Sequence, residues 1–376
     1  MSVLARIRQP STLIGLFCVL GLSAIAIENL HFADSMLGTT YHRSQTIWIV
    51  IGLIGLGVTS RLDMQFVRRV SPSVYGVLVV LLVAVLFFGR EINYSKRWLE
   101  LGPANIQPSE FMKISIALML ADWFDTKRSK EPWKLRQLVI PVFLMGAPVA
   151  LINREPDLGT SVCVAAIAIG QLLYDGVQRR TLVLAFCISL VAIGLAWKFD
   201  IIRDYQKGRA ETWWHAMQDD DKTPDTGQGG ANRDNWQAEK ALWAVGSGRV
   251  AGRSDDEARV SVLRHVPFVH TDFALACFAE RWGLIGCIFL FGLYLGLVWW
   301  ALYLADHAQE RFDALLAVGV AGLVFWQFFV NAGMVIGLLP VVGVTLPLLS
   351  YGGSSALTVL LGAGFLLNIA TRRKGR

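Results

Sequence analysis

An imidazole and a carboxylate two residues apart, in His270-Thr271-Asp272-Phe273, stand just before a long apolar stretch from Gly283 to Tyr303. Ionisable groups at the border of such a run are costly unless they face water, a partner or a substrate. A carboxylate placed there can take a proton from an attacking hydroxyl as a general base. It can equally serve as a metal ligand or a substrate anchor. His270 can tune that carboxylate, touch substrate, or simply start a helix.

Further polar groups are candidates for the same site. Glu110 and Lys113 follow the helix-start residues Pro108 and Ser109 and, three apart, share one helical face. They form either an internal ion pair that orients two helices or a cation aimed at an anionic substrate and held by Glu110. Arg97 lies just upstream, in Lys96-Arg97-Trp98. Asp157, in Pro156-Asp157-Leu158-Gly159, is an N-cap or a carboxylate lent to a polar cavity. Arg209 either contacts phosphate or is solvated. Gly246-Ser247-Gly248 lacks the spacing and preceding strand of a dinucleotide fingerprint, so close helix packing or a tight turn explains it better. Ser350 lies in a Gly- and Pro-rich run, Gly337 to Ser355, which breaks the apolar pattern as a loop dipping into a cavity would. Its small residues also suit helix packing.

The elements that carry these groups are apolar. The chain has 376 residues, 54% hydrophobic and only 17% charged, with mean hydropathy +0.48. A soluble globule of this length needs more charge to cover its surface. Ten apolar stretches approach the roughly 20 residues that a helix needs to cross a bilayer. They fall at about 12–29, 45–59, 73–89, 109–124, 138–152, 159–174, 181–198, 282–304, 313–338 and 354–370. The expected fold is an all-α polytopic membrane protein, one membrane domain over 1–376, with a large outer-face loop at 199–270. The middle of that loop, 218–233, is polar and Gly-rich and reads as a solvated turn.

The formal charge of +6 does not point to nucleic acid, because the cations cluster in alternate loops. Arg61, Arg68 and Arg69, then Lys127 to Arg136, then Arg179 and Arg180, and finally Arg372 to Arg376 mark cytoplasmic loops and two cytoplasmic termini. The five cysteines are single residues in apolar stretches, with neither metal-site nor disulfide spacing.

In this order, Arg97-Trp98, Gln107-Pro108-Ser109-Glu110-Phe111 with Lys113, Pro156 to Thr160, Asp204-Tyr205-Gln206, Gly246 to Gly248, His270 to Phe273, Gly337 to Pro340 and Ser350 to Ser355 resemble the SEDS family (shape, elongation, division and sporulation). Asn331 to Met334 and Val341 to Val344 are more similar to its rod-elongation branch than to its division branch. The resemblance implies a ten-helix peptidoglycan glycosyltransferase of the bacterial inner membrane that polymerises lipid II beside a class B penicillin-binding protein, a transpeptidase. It makes Asp272 the essential catalytic residue and places Glu110, Lys113 and Asp157 in the site. Lys113, Arg97 and Arg209 are candidates to stabilise the departing diphosphate. A hard divalent cation such as Mg²⁺ would suit oxygen ligands there, although no ligand set is readable.

This chain departs from the family pattern at several points. Phe268 and Val269 precede the His-Thr-Asp, Asn93-Tyr94-Ser95-Lys96 precedes Arg97, Glu155 replaces a usual glutamine, and Arg281 a usual glutamate. Two other classes remain, a flippase for the lipid-linked precursor and an inactive scaffold for a transpeptidase. The crowding of motifs on one face, with no inverted repeat evident, favours the enzyme.

Overall fold

A computed structural model describes residues 9–92, 95–101, 104–127, 131–199, 204–217, 229–254 and 268–372. Twelve helices occur among them: α1 (Pro10–Leu37), α2 (Tyr41–Thr59), α3 (Met64–Phe88), α4 (Pro108–Thr126), α5 (Val139–Arg154), α6 (Leu158–Asp175), α7 (Arg179–Lys198), α8 (Asp204–Met217), α9 (Gly229–Ser247), α10 (Ala274–Asp306), α11 (Arg311–Val335) and α12 (Gly353–Arg372). Each of the ten expected apolar stretches falls on a helix. Among the described residues, seven helices are long and apolar enough to cross a membrane: α1, α3, α5 with the 3-10 turn before it, α6, α10, α11 and α12.

Local chemistry explains where several helices begin. Proline opens α1 and α4, where its missing N–H costs nothing. Asp63 caps α3 by accepting from the Gln65 amide at 3.1 Å. Asp157 caps α6 through the Thr160 amide at 3.1 Å.

α11 and α12 are the most enclosed helices, and α2, α4, α6 and α10 pack around them. One apolar core runs from Cys18 and Leu22 on α1 through Met112 and Leu120 on α4 to Leu360 and Leu366 on α12. The outward faces are apolar too: Phe87, Phe143, Phe186, Val183, Ile285 and Ile288 are all exposed. A soluble protein does not leave such a belt in water, whereas lipid tails accept it. The molecule is a polytopic helical membrane protein.

One end of this bundle is closed by ion pairs. Asp175 takes Arg311 at 2.5 Å and the Trp133 indole at 2.6 Å. Arg68 bridges Asp122 at 2.7 Å and Asp125 at 2.6 Å, and Asp313 meets Arg372 at 2.7 Å.

The structure adds detail to three expectations. Within the all-α fold, β1 (Arg90–Ile92), β2 (Ser95–Leu101) and β3 (Ala104–Ile106) form a small antiparallel sheet, β1-β2-β3, between α3 and α4. Its register pairs Arg90 with Trp98 and Glu100 with Asn105. The stretch 199–270 is not simply a loop, because α8 and α9 lie within it. α9 buries Gln237, Ala241 and Ala244, and the helix packs on α10. The expected turn at 218–233 ends inside a helix, since α9 begins at Gly229; residues 218–228 lie outside the described residues, as do Asn93, Tyr94 and Pro267.

Candidate functional site

Asp272 lies in a tight turn just before α10. Phe268 opens the turn with a φ of 64°, a left-handed conformation that a bulky residue rarely adopts. Its carbonyl then accepts from the amides of Thr271 at 3.0 Å and Phe273 at 3.2 Å. The neighbouring Val269 and Phe273 are buried and anchor the turn. The departure Phe268-Val269 is therefore structural at this position.

Neutral groups from distant elements hold the backbone of this turn. Asn331 of α11 donates its amide to the Asp272 carbonyl at 2.9 Å and the Val344 carbonyl at 2.7 Å. Ser350 donates to the Thr271 carbonyl at 2.6 Å, and the Tyr351 amide donates to the His270 carbonyl at 2.8 Å. Asn29 of α1 reaches the Ala274 carbonyl at 3.2 Å. The His270 ring stacks on Tyr41, with centroids 4.3 Å apart and planes at 10°. Burial holds the His270 pKa below its ordinary value, with Asp34 pulling the other way, so the imidazole is neutral at neutral pH.

The other wall is the irregular run 336–352 between α11 and α12. Its later half is buried, with Leu346, Leu348 and Leu349 in the core, so the backbone there must find partners inside the protein. Tyr294 donates to the Pro347 carbonyl at 2.6 Å, and Gln45 donates to those of Leu348 and Ser350 at 3.4 and 3.3 Å. Gly343, at φ 71°, faces the catalytic candidate directly: a Cβ there would stand 3.4 Å from Asp272 Oδ2. Only glycine adopts this conformation freely while leaving the carboxylate uncovered on that side.

The same run touches a second polar group of residues. Gly159 packs so closely on this run that a Cβ would stand 2.3 Å from the Val344 side chain and 3.0 Å from the Val342 carbonyl. Two residues before it, Asp157 also accepts from the Gln107 side chain at 3.0 Å and lies 3.7 Å from Arg97. Arg97 donates to the carbonyls of Glu155, at 3.3 Å, and Pro156. β2 thus positions Arg97, and its guanidinium is fixed largely by backbone oxygens of the α5–α6 turn.

Glu155, the departure in that turn, is fully buried, and neither carboxyl oxygen has a hydrogen-bond partner. Burial first, and then Asp157, raise its pKa from the ordinary 4.5 to about 9, against the opposing pull of Arg97. It is a neutral acid at neutral pH, electrically equivalent to the glutamine that the family pattern has there.

Lys113 is not presented to an open site. It is 1% exposed, pairs with Glu110 at 2.7 Å and, with the Gln327 amide turned to satisfy both its atoms, donates to Gln327 at 2.6 Å. The geometry is that of an internal ion pair tying α4 to α11. Arg209 is half-buried on α8, a helix joined to the bundle by Gln206 to Asn153 at 3.0 Å and Trp213 to the Gly337 carbonyl at 3.1 Å. Arg281 meets Glu28 and lies over the Phe32 ring, which ties α10 to α1.

Asp272, His270 and Ser350 therefore share one turn-and-loop unit, and Arg97 and Asp157 adjoin it across Gly159. Sequence reasoning gave no task to Asn331, Gln45 or Tyr41. The available signal was polarity inside apolar spans, which marks Gln45 and Asn331. Among the described residues, no three His, Cys, Asp or Glu side chains gather as a metal site requires.

Comparison with known proteins gives a consistent result. The model of the cell cycle protein family FtsW/RodA/SpoVE matches residues 4–375. The peptidoglycan glycosyltransferase MrdB of Escherichia coli K12 is 34% identical over 366 residues, covering 97% of this chain and 94% of its own. The crystal structure of the rod shape determining protein RodA of Thermus thermophilus superimposes with a TM-score of 0.69 at 26% identity, covering 96% of this chain and 97% of its own. A chain of a peptidoglycan synthase complex, solved for its coordination of polymerization and crosslinking, gives 0.79 at 28% identity, covering 96% and 97%.

Proposed function

The chain belongs to the FtsW/RodA/SpoVE family and is a peptidoglycan glycosyltransferase that polymerises lipid II, and from that premise we propose that Asp272 is the general base of the transfer. The observation that carries this assignment is the turn itself. Five contacts from four other elements fix its backbone and His270, while its carboxylate faces the bare backbone of Gly343.

Chain growth requires a sugar 4-hydroxyl to attack an anomeric carbon that carries a diphosphate. A hydroxyl is a poor nucleophile, and a carboxylate within hydrogen-bond reach removes its proton as the new bond forms. Single displacement inverts the anomeric centre and releases the polyprenyl diphosphate. Arg97, preorganised by the Glu155 and Pro156 carbonyls and Asp157, is the cation best placed beside the site to meet the departing charge. Lys113 contributes by holding α4 on α11 instead of touching substrate. Arg209 is an accessory contact on α8.

The chain is a multi-pass protein of the bacterial inner membrane, and its partner is a class B penicillin-binding protein that crosslinks the strands. In our reading ten helices, α1 to α7 and α10 to α12, cross the bilayer as one domain over 1–376. Both termini then face the cytoplasm, and 199–270 lies on the outer face. The cation-rich loops at 61–69, 127–136 and 179–180 support that orientation.

The test is polymerisation of purified lipid II by the detergent-solubilised protein, alone and with its transpeptidase. Glycan strands are expected. Lipid scrambling in vesicles without any polymer would instead make the protein a flippase.

A further inference from the structure

α10 is broken at Gly283, where φ is 61° and ψ −163°. A break in a membrane helix frees backbone groups that need partners, and here a crossing chain supplies them. The Leu284 amide donates to the Arg249 carbonyl at 2.9 Å and the Ile285 amide to the Val250 carbonyl at 3.1 Å. From the other side of the break, the Glu280 carbonyl accepts from the Arg253 amide at 3.0 Å. The buried Glu280 carboxylate adds Ser247 at 3.2 Å and the Arg253 side chain at 3.3 Å.

No side chain fits at the crossing. A Cβ on Gly248 would stand 2.1 Å from the Ala279 carbonyl, one on Gly252 2.0 Å from that of Arg281, and one on Gly283 2.3 Å from the Gly252 nitrogen. Gly252 and Gly283 also hold left-handed φ angles of 84° and 61°. Backbone has to meet backbone here, and the segment that does so follows directly on α9.

We propose that Gly248 to Arg253 form a backbone splint that sets the bend in α10 and so aims the Asp272 turn, which makes Gly248, Gly252 and Gly283 positioning residues for glycosyl transfer. The portion of α10 beyond the break ends on that turn. At ~1.5 Å per residue this lever is roughly 13 Å long, so a ~10° change of bend moves Asp272 by ~2 Å. A misplacement of ~1 Å can cost ~100-fold in rate. The splint rests on the assignment of Asp272 as the base, and the following series separates the two.

Gly252→Ala and Gly283→Ala are compared with Gly246→Ala, whose added Cβ meets nothing within 4 Å, and with Asp272→Asn. Two readouts are taken from the full-length protein: kcat and KM for lipid II, and hydrogen exchange at the amides of Leu284 and Ile285. The two splint variants are expected to lose protection at both amides and ~100-fold in kcat, with KM nearly unchanged. Gly246→Ala keeps both properties, and Asp272→Asn loses polymer while keeping protection. If a glycine variant fails to reach the membrane, Arg253→Ala adds no atoms and is expected to show the same coupled loss at about 2–5-fold. Lost protection with wild-type kcat, or lost kcat with protection intact in a splint variant, overturns the proposal. Full polymerisation by Asp272→Asn would sink the base assignment instead.

Discussion

At the Arg311 end of the bundle, four carboxylates are matched to arginines: Asp175 to Arg311, Asp122 and Asp125 to Arg68, Asp313 to Arg372. At the Asp272 end, the turn is held through its backbone by Asn331, Ser350, Asn29 and the Tyr351 amide, all uncharged. Even Glu155, on the same side, is held neutral by burial. The first arrangement uses charge to close helix ends. The second fixes the position of the turn through uncharged groups bound to its backbone. Lys113 with Glu110 shows where the boundary lies, since that ion pair is sealed inside the helix pack within α4.

The contrast can be broken by single substitutions. The largest stability effect is expected for Arg311→Ala, which leaves Asp175 nearly buried with only the Trp133 indole. Removing one partner of a buried pair costs about 3–5 kcal/mol. Thermal unfolding in detergent should show this, while activity per folded molecule stays near wild type. A fall in specific activity matching Asn331→Ala would show that the two ends do not divide these tasks.

Glu155→Gln should remove a pH dependence. The folded-state pKa of Glu155 is raised from 4.5 to about 9, so the native state binds the extra proton between those values. Its contribution to stability is fully present below pH 4.5 and falls as pH rises towards 9, at up to about 1.4 kcal/mol per pH unit. The glutamine variant should be flatter over that window and polymerise normally. An unchanged slope would mean that Glu155 is ionised in the folded protein.

A smaller effect on stability is expected for Asn331→Ala, which removes both its hydrogen bonds, at about 1–3 kcal/mol. Its signature is kinetic. Freeing the Asp272 carbonyl and the Val344 carbonyl should lower kcat by about 10–100-fold with little change in KM. Equal losses in Asn331→Ala and Arg311→Ala, each scaled to folded protein, would erase the distinction between the two ends.

Much of the fold was legible in the sequence, because membrane helices announce themselves by length and hydropathy, and the expensive position of Asp272 made it the candidate that the mutant assay tests. The sheet at 90–106 was not: its strands are too short to show a period, and Ser95 to Leu101 mixes charge with aromatic and aliphatic residues. α8 and α9 were hidden by polar sequence, because their stability comes from packing on neighbours and not from an apolar stripe of membrane length. The splint joins Arg249 and Val250 to the start of the second half of α10, a pairing that no local pattern encodes. The fate of Lys113 likewise turned on burial. Its spacing from Glu110 admitted an ion pair and a substrate cation alike, and Gln327 from another helix decided the geometry.

The central assignment is tested most directly by Asp272→Asn, assayed for glycan strands from lipid II beside wild type at equal folded protein. Asparagine keeps the shape and the backbone contacts of the turn but cannot take the hydroxyl proton. Polymerisation is expected to fall by about 100- to 10,000-fold. Glycan strands from the variant at near wild-type rate would contradict Asp272 as the general base.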